Sequence, residues 1–196
     1  MAMTREENDL MCRVENGAPM GEMIRRHYWI PAVPSVKLEA GGQPIRVRLL
    51  GQDYVAFRSP DGTVGIIDER CPHRRASMAL ARNEPGGLRC IYHGWKVSPA
   101  GSVTDAPNHA GDQAAFCQHV RVRRHQALDR GGIVWAWLGQ AADNSLAAPR
   151  FPDLPFVDLP EQQRSVTSVE VPTNWVQGVE ASMDSSHVSV LHESST

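Results

Sequence analysis

The chain contains Cys71-Pro72-His73 and, after sixteen further residues, Cys90-Ile91-Tyr92-His93, and this pair of motifs decides its fold class. Two thiolates and two imidazoles hold a [2Fe–2S] cluster when both cysteines bind one iron and both histidines bind the other. Because imidazole is neutral and thiolate is anionic, this ligand set raises the reduction potential above that of an all-cysteine cluster. The motifs therefore predict a centre that transfers single electrons, with Cys71, His73, Cys90 and His93 as its ligands.

A structural zinc site is the alternative for the same four residues, because two cysteines and two histidines also suit tetrahedral Zn²⁺. Zinc modules usually carry two cysteines in the first loop, whereas each loop here carries one cysteine and one histidine. We expect Pro72 to stiffen the first loop and to leave neighbouring N–H groups free to point at sulfur. Gly94 is expected to let the backbone approach the cluster, and Trp95 to shield it from water or simply to pack in the core.

Short strand-like segments separated by turn sequences lie on both sides of the motifs. Five of them are residues 45–49, 54–57, 64–67, 120–123 and 133–138. The first alternates with period two, and the second and third are joined by Ser59-Pro60-Asp61-Gly62, a strong turn signal. This spacing predicts an antiparallel β domain.

Composition narrows the function classes. The 196 residues are 41% hydrophobic and 21% charged, with a formal net charge of −2 and no basic stripe or polybasic patch. This argues against nucleic-acid and membrane-surface partners. The first 16 residues lack the apolar core of a secretory signal. We therefore expect a cytoplasmic protein in which Cys12 and Cys117 form no disulfide.

The chain divides into four predicted parts. Residues 1–26 form an N-terminal segment, and residues 27–138 form the cluster domain. Residues 139–163 contain four prolines and are predicted to be a linker, because proline removes backbone donors and fixes extended backbone. Residues 164–196 begin a second domain, with a strand at 166–171. A helix then starts after Asn174, with Trp175, Val179 and Met183 along one face.

At this point the motifs resemble the Rieske domain of bacterial aromatic-ring-hydroxylating oxygenases of the phthalate-dioxygenase type. The resemblance covers roughly residues 27–192. Respiratory Rieske proteins carry one further cysteine in each loop, and this chain has none at those places. The family commonly has glycine where this chain has Arg75, and a left-handed backbone there would be unfavourable for arginine.

The resemblance implies an α+β, mainly β fold. A complete antiparallel Rieske domain of three sheets would be followed by the opening strand and helix of a helix-grip catalytic domain.

A second metal site is implied by the same resemblance. Asp184, His187 and His192 match the segment that supplies two histidines to mononuclear Fe(II) in these oxygenases. A 2-His-1-carboxylate triad leaves open positions for dioxygen. The family's carboxylate ligand lies far downstream, so the chain is expected to be a truncated amino-terminal portion, inactive by itself. Glu193 is expected to point elsewhere.

The spacing of the two histidines makes a geometric prediction. On a straight helix they would sit roughly 140° apart, too far to bind one ion. We therefore expect the helix to bulge or break between them. The resemblance also gives Asp184 the role of linking His187 to His93 of a neighbouring subunit by hydrogen bonds. Glu180 lies one turn earlier and is expected either in that polar network or on the helix surface.

The implied function is the oxygenase component of a Rieske oxygenase. Its implied partners are an NADH-dependent flavin and iron–sulfur reductase, an aromatic substrate and O₂, in a homotrimer or a multiple of one. Two alternatives remain open at this point. A stand-alone Rieske-ferredoxin-type electron carrier would explain the cluster but gives no reason for residues 164–192, and a zinc-stabilised binding module would contain no iron.

Overall fold

The computed structural model describes residues 3–139 and 147–193. Ten strands and five α-helices are present in this part of the chain. The strands are β1 (Trp29–Pro34), β2 (Ile45–Leu49), β3 (Gln52–Arg58), β4 (Val64–Asp68), β5 (Arg82–Glu84), β6 (Gly87–Arg89), β7 (Lys96–Val97), β8 (Val103–Asp105), β9 (Arg124–Arg130) and β10 (Ile133–Trp137). The helices are α1 (Arg5–Cys12), α2 (Pro19–His27), α3 (Gln113–His119), α4 (Trp175–Met183) and α5 (Val188–Leu191).

The strands form two antiparallel sheets. The larger has the order β1-β10-β9-β4-β3-β2, and the smaller has the order β5-β6-β7-β8. Because its edge strands β1 and β2 also contact each other, the larger sheet curls towards a barrel. The predicted antiparallel β domain is confirmed, but its sheets number two rather than three, because pairing of β4 with β9 joins two parts of the larger sheet.

Both faces of β3, in the interior of the larger sheet, are buried, and successive side chains point to opposite faces. On β3, Val55 and Phe57 face a core shared with the smaller sheet. Tyr54 and Ala56 point the other way, into a second core with residues of β1, β2 and β10. The first core contains Cys71 and Cys90, so it is the one that positions the predicted cluster loops.

The predicted hairpin between β3 and β4 is confirmed. Ser59 N–H donates to the Thr63 carbonyl at 2.9 Å, and Gly62 has φ +89°, the left-handed conformation that glycine adopts without a steric penalty. The strand predicted at 120–123 is wrong, because β9 begins only at Arg124. Residues 120–122 instead lie beside β8, where Val122 N–H donates to the Gly101 carbonyl at 2.7 Å.

The strand predicted at 166–171 is also wrong. These residues have no regular structure, and no strand in the described ranges pairs with them. Val169 is 84% exposed, so the side chains that favoured a strand lie in solvent without the pairing that stabilises one. The helix expected after Asn174 is confirmed as α4, with the Asn174 side chain accepting from Val176 N–H at 3.0 Å.

The N-terminal residues pack against both later parts of the chain. Arg25 of α2 donates to the Tyr54 hydroxyl at 2.6 Å, and both Asn174 and Trp175 donate to the Cys12 carbonyl at the end of α1. Residues 140–146 of the predicted linker lie outside the described residues; residues 147–163 run irregularly, apart from a 3₁₀ turn at Glu161–Gln163. Among the described residues, no helix has the length and apolar character needed to cross a bilayer.

Candidate metal centres

The first cluster loop is a tight turn closed by two backbone hydrogen bonds. Cys71 N–H donates to the Ala76 carbonyl at 2.9 Å, and Arg75 N–H donates back to the Cys71 carbonyl at 3.0 Å. This loop follows shortly after β4, so the larger sheet fixes the position of Cys71. His73 therefore sits at the tip of a loop whose two ends are both held.

The second loop repeats the pattern. Cys90 N–H donates to the Trp95 carbonyl at 2.8 Å, and Gly94 N–H donates to the Cys90 carbonyl at 3.0 Å. It connects β6 to β7 in the smaller sheet. The two sheets thus present the same loop geometry from two sides of one core, although the histidine is two residues after the cysteine in one loop and three after it in the other.

Arg75 and Gly94 occupy equivalent places in the two loops, and both are left-handed. Their φ angles are +61° and +74°. Glycine adopts this conformation freely, whereas an L-residue with a Cβ pays about 1 kcal/mol or more. The first loop therefore holds Arg75 in a strained conformation that matches the conformation of Gly94 in the second loop.

The two cysteines lie at the deep end of the site. Cys71 is 1% and Cys90 2% exposed, and the two side chains are close enough to interact. Burial raises the pKa of the Cys71 thiol to about 11, and the proximity of Cys90 adds to the effect. The backbone N–H groups of His73 and Arg74 act in the opposite direction by donating to the Cys71 sulfur. These are the amides that Pro72 was expected to leave free.

The two histidines lie at the half-exposed outer end of the site. Their ring centroids are 4.6 Å apart. Burial lowers the pKa of His73, and the neighbouring His93 and Arg74 lower it further. His93 packs on the Tyr92 ring, with centroids 3.8 Å apart. The arrangement thus has two thiols inside and two imidazoles at the surface.

Trp95 supports the first histidine. Its ring is stacked on His73 with centroids 4.7 Å apart and an angle of 4° between the planes. The indole N–H donates to the Asn108 side-chain oxygen at 2.6 Å, and the Asn108 amide nitrogen lies 3.5 Å from His73 Nε2. Phe116 packs edge-on against Trp95, with ring centroids 5.4 Å apart. The two roles expected for Trp95, core packing and shielding of the site, coincide.

The donor set fits a two-iron cluster better than a single ion. The described residues contain no group of three or more His, Cys, Asp or Glu side chains placed to hold one metal ion. Tetrahedral zinc needs four donors within about 2.0–2.3 Å of one centre. A [2Fe–2S] cluster instead takes the two thiols on one iron and the two imidazoles on the other, which matches the separation into a deep pair and an outer pair.

The second predicted metal site lies at the end of α4. Asp184 ends this helix, His187 precedes the single turn of α5, and His192 follows it. His187 Nδ1 is 3.3 Å from Asp184 Oδ2, and the ring centroids of His187 and His192 are 5.5 Å apart. The structure therefore brings all three predicted residues together on an exposed segment.

The position of the helix break differs from the prediction. The helix is interrupted at residues 184–187, and the residues between the histidines form one helical turn, so the break expected between them is wrong. The ring separation is short because His192 leaves the helix with φ −108° and ψ 14°. Asp184 stabilises the break by accepting from Ser186 N–H at 2.8 Å, and hydrogen bonds from Ser186 lower its pKa.

No third ligand completes this site within residues 3–139 and 147–193. No hydrogen bond or ion pair in the same ranges joins Asp184 to His93. No interaction of Glu180 or Glu193 that would place either in the polar network is present there. All four cysteines are free, as expected for Cys12 and Cys117.

Sequence reasoning missed two residues of the first site. Asn108 and Phe116 contact Trp95 from a loop and from α3, well beyond the second motif. Neither belongs to a motif with fixed spacing. The only signal was the Pro107-Asn108 pair, which indicates a turn but says nothing about its neighbours in space.

Comparison with known proteins adds independent findings. Residues 28–126 match the family model of the Rieske [2Fe-2S] domain. The chain is 44% identical over 192 residues to the 3-chlorobenzoate-3,4-dioxygenase oxygenase subunit of Comamonas testosteroni, covering 98% of this chain and 43% of that protein. It is 42% identical to the phthalate 4,5-dioxygenase oxygenase subunit of Pseudomonas putida, with the same coverage. The chain thus spans less than half the length of these relatives.

A solved structure gives a consistent result. The chain is similar to dicamba monooxygenase with non-heme iron and dicamba, with a TM-score of 0.56 and 29% sequence identity. The match covers 66% of this chain and 37% of that one. The mainly antiparallel β fold is shared between them.

Proposed function

The chain belongs to the Rieske [2Fe–2S] domain family, and on that premise we propose that it is the electron-accepting part of an oxygenase component acting on aromatic compounds. The single observation that carries the proposal is the pair of matched loops, which place two buried thiols behind two half-exposed imidazoles. The relatives that match 98% of the chain are named as dioxygenase oxygenase subunits.

We assign Cys71 and Cys90 to one iron of the cluster and His73 and His93 to the other. When bound, the cluster supplies one-electron transfer and the mononuclear iron supplies O₂ activation. The residues of the chain hold and shield the cluster. The amides of His73 and Arg74 point at sulfur, Trp95 excludes water from one side, and the imidazole edges form the surface through which electrons enter and leave.

For the second metal we assign His187 and His192 as ligands, with the carboxylate ligand outside the described residues. Asp184 holds the His187 ring through its Nδ1 atom at 3.3 Å, which fixes the ring orientation that a metal would meet. In a homotrimer or a multiple of one, the Asp184 carboxylate would also accept from His93 of a neighbouring subunit and couple the two centres. Hydroxylation of an aromatic substrate by this pair is the activity we propose.

The electron donor we propose is an NADH-dependent flavin and iron–sulfur reductase. Four free cysteines, two of them assigned to a cluster, fit the reducing cytoplasm. The alternative of a stand-alone electron carrier is less well supported, because residues 164–193 then have no role although the relatives match across them.

The deciding experiment is purification of this chain under anaerobic conditions with quantification of iron, acid-labile sulfide and zinc. We expect about two irons and two sulfides per chain from a [2Fe–2S] cluster, with visible absorption that bleaches on dithionite reduction. A colourless protein that contains zinc would refute the proposal and support a structural zinc site.

Asp184→Asn tests the proposed coupling role separately. We expect an unchanged cluster spectrum, because in the described part of the chain the Asp184 carboxylate bonds only to Ser186 and His187 and to neither loop. In a chain extended to the full length of the relatives, substrate turnover should fall sharply while cluster reduction by the donor continues. Loss of the cluster spectrum in this variant would contradict the assignment.

A further inference from the structure

Arg89 is the last residue of β6, immediately before the proposed ligand Cys90, and its side chain reaches the loop that follows. Its Nη1 atom donates to the Gly94 carbonyl at 2.7 Å. The N–H group of Gly94 donates to the Cys90 carbonyl at 3.0 Å, so both polar backbone groups of this left-handed residue are bonded. Arg89 therefore fixes the residue next to His93 from outside the loop.

Two carboxylates hold the Arg89 side chain in this position. Arg89 Nε donates to Glu84 Oε2 at 2.8 Å, and Nη1 donates to Asp105 Oδ2 at 2.7 Å. Glu84 is on β5 and Asp105 is on β8, the two edge strands of the smaller sheet. One guanidinium thus joins both edges of that sheet to the second loop. Its planar fork suits bonds in fixed directions, whereas a lysine ammonium is a compact charge without such a fork.

The first loop has the same arrangement in a weaker form. Arg70 precedes the first cysteine ligand, and its Nη1 donates to the Arg75 carbonyl at 3.4 Å. Its partner Glu69, 2.9 Å away, is also bound by Arg46 at 2.7 Å. The Arg70 side chain is 46% exposed, against 21% for Arg89, so solvent screens its charge more strongly.

The charges around the two arginines differ as well. Arg89 faces two carboxylates, so its removal would leave two negative charges beside the second loop. Removal of Arg70 would leave Glu69 paired with Arg46. Because reduction adds a negative charge to the site, unpaired carboxylates nearby lower the reduction potential. The larger effect is therefore expected at the second loop.

We propose that Arg89 is a positioning residue for the cluster site and that it raises the reduction potential of that site. It fixes the Gly94 carbonyl beside His93. It also offsets the charges of Glu84 and Asp105. The inference rests on the proposed function, because it needs the cluster between the two loops, and it goes further by giving a role to charged residues that are not among the four assigned ligands.

Redox titration of the purified chain, followed by visible absorption, tests the proposal. Arg89→Gln should lower the equilibrium constant for one-electron reduction about tenfold, which is a fall of about 59 mV in the midpoint potential. Adding Asp105→Asn to this variant removes one unpaired charge and should bring the constant back to within about threefold of the parent. Removing a second contact would not restore a purely structural role.

Arg89→Lys separates the charge of the side chain from its shape. It keeps the charge, so the constant should stay within about threefold of the parent, but it loses the fork, so a chelator should remove iron about fivefold faster. If Arg89→Gln assembles no cluster, Asp105→Asn alone decides the matter. Removing this carboxylate while Arg89 stays should raise the constant about threefold, and an unchanged or lowered constant overturns the proposal.

Arg82→Gln is the matched control. Arg82 lies opposite Arg89 in the sheet and is 3.5 Å from the same Glu84, but its side chain is 68% exposed and, within the described residues, bonds to neither loop. Arg82→Gln and Arg70→Gln should each change the constant by less than about threefold.

Three results would overturn the proposal. Arg89→Gln could keep the parent's potential with full iron and sulfide contents, either control could lower the potential as much, or Asp105→Asn could restore nothing. Iron and sulfide missing from the parent chain itself would refute the proposed function, which is a separate result.

Discussion

The two metal regions of this chain differ in how they are supported. The cluster loops are closed by backbone hydrogen bonds, and their cysteines are buried in the core between two sheets. The segment from Asp184 to His192 is exposed and rests on α4, which contacts the rest of the protein chiefly through the end of α1. The cluster site is thus part of the folding core, whereas the histidine segment is attached to it.

From this difference we infer which properties the chain has without further residues or partners. A group held by two buried thiols and two imidazoles on closed loops is expected to be present whenever the chain folds. A site with two imidazoles and no third ligand in the described residues is expected to bind metal weakly. Substitutions in the first region should therefore change both cofactor content and stability, and substitutions in the second should change neither by much.

The largest expected effect is that of Cys90→Ser. The hydroxyl replaces the buried thiol of a proposed ligand, so we expect iron and acid-labile sulfide to fall close to zero, together with the visible absorption. Cys117→Ser is the matched control, since Cys117 is buried in the same core and is not a proposed ligand. Full iron content in Cys90→Ser would mean that the cluster is held elsewhere.

Trp95→Ala should have the next largest effect. Removing a buried tryptophan that stacks on His73 and packs on Phe116 is expected to cost about 3–5 kcal/mol in the free energy of unfolding. Trp175→Ala on α4 should cost under about 1 kcal/mol, because this tryptophan is 38% exposed. Urea denaturation of both variants measures the contrast, and equal costs would show that the two regions are supported alike.

Sequence reasoning selected four side chains that the structure brings together, because the two motifs have short spacings. Cys71 and His73, or Cys90 and His93, come together through local loop geometry, and the hairpin at Pro60-Asp61 follows from turn residues alone. Asn108 could not be found in this way, since its contact with Trp95 depends on where the loop before α3 folds back.

The second domain shows the opposite case. Residues 166–171 have the composition of a strand, but a strand exists only when another strand pairs with it, and none in the described ranges does. The 140° separation predicted a break between His187 and His192, but the interruption lies at residues 184–187, where Asp184 accepts hydrogen bonds from Ser186 and α4 ends. Local side-chain hydrogen bonds of this kind compete with helix continuation.

The equivalent positions in the two loops give a smaller and more specific effect. Arg75→Gly removes left-handed strain and should stabilise the chain by about 0.5–1 kcal/mol after the entropy of the new glycine is counted. Gly94→Ala should destabilise it by about 1–2 kcal/mol, because the alanine would have to adopt φ +74° and its Cβ would lie 3.1 Å from Pro107 Cγ. Thermal or urea unfolding measures both, and a destabilised Arg75→Gly would show that the arginine is held by contacts within its own chain.

The smallest expected effect is that of replacing both His187 and His192 by alanine. Because these rings lie on an exposed segment outside both buried cores, the free energy of unfolding should change by no more than about 0.5 kcal/mol, and the cluster spectrum should not change. When the double variant is titrated with Fe(II) after cluster assembly, it should show none of the weak binding of a third iron that the parent shows. The control Ser189→Ala, on the turn between the histidines, should keep that binding. A variant that unfolds readily or loses its cluster would mean that the histidine segment supports the core, and the contrast between the two regions would no longer hold.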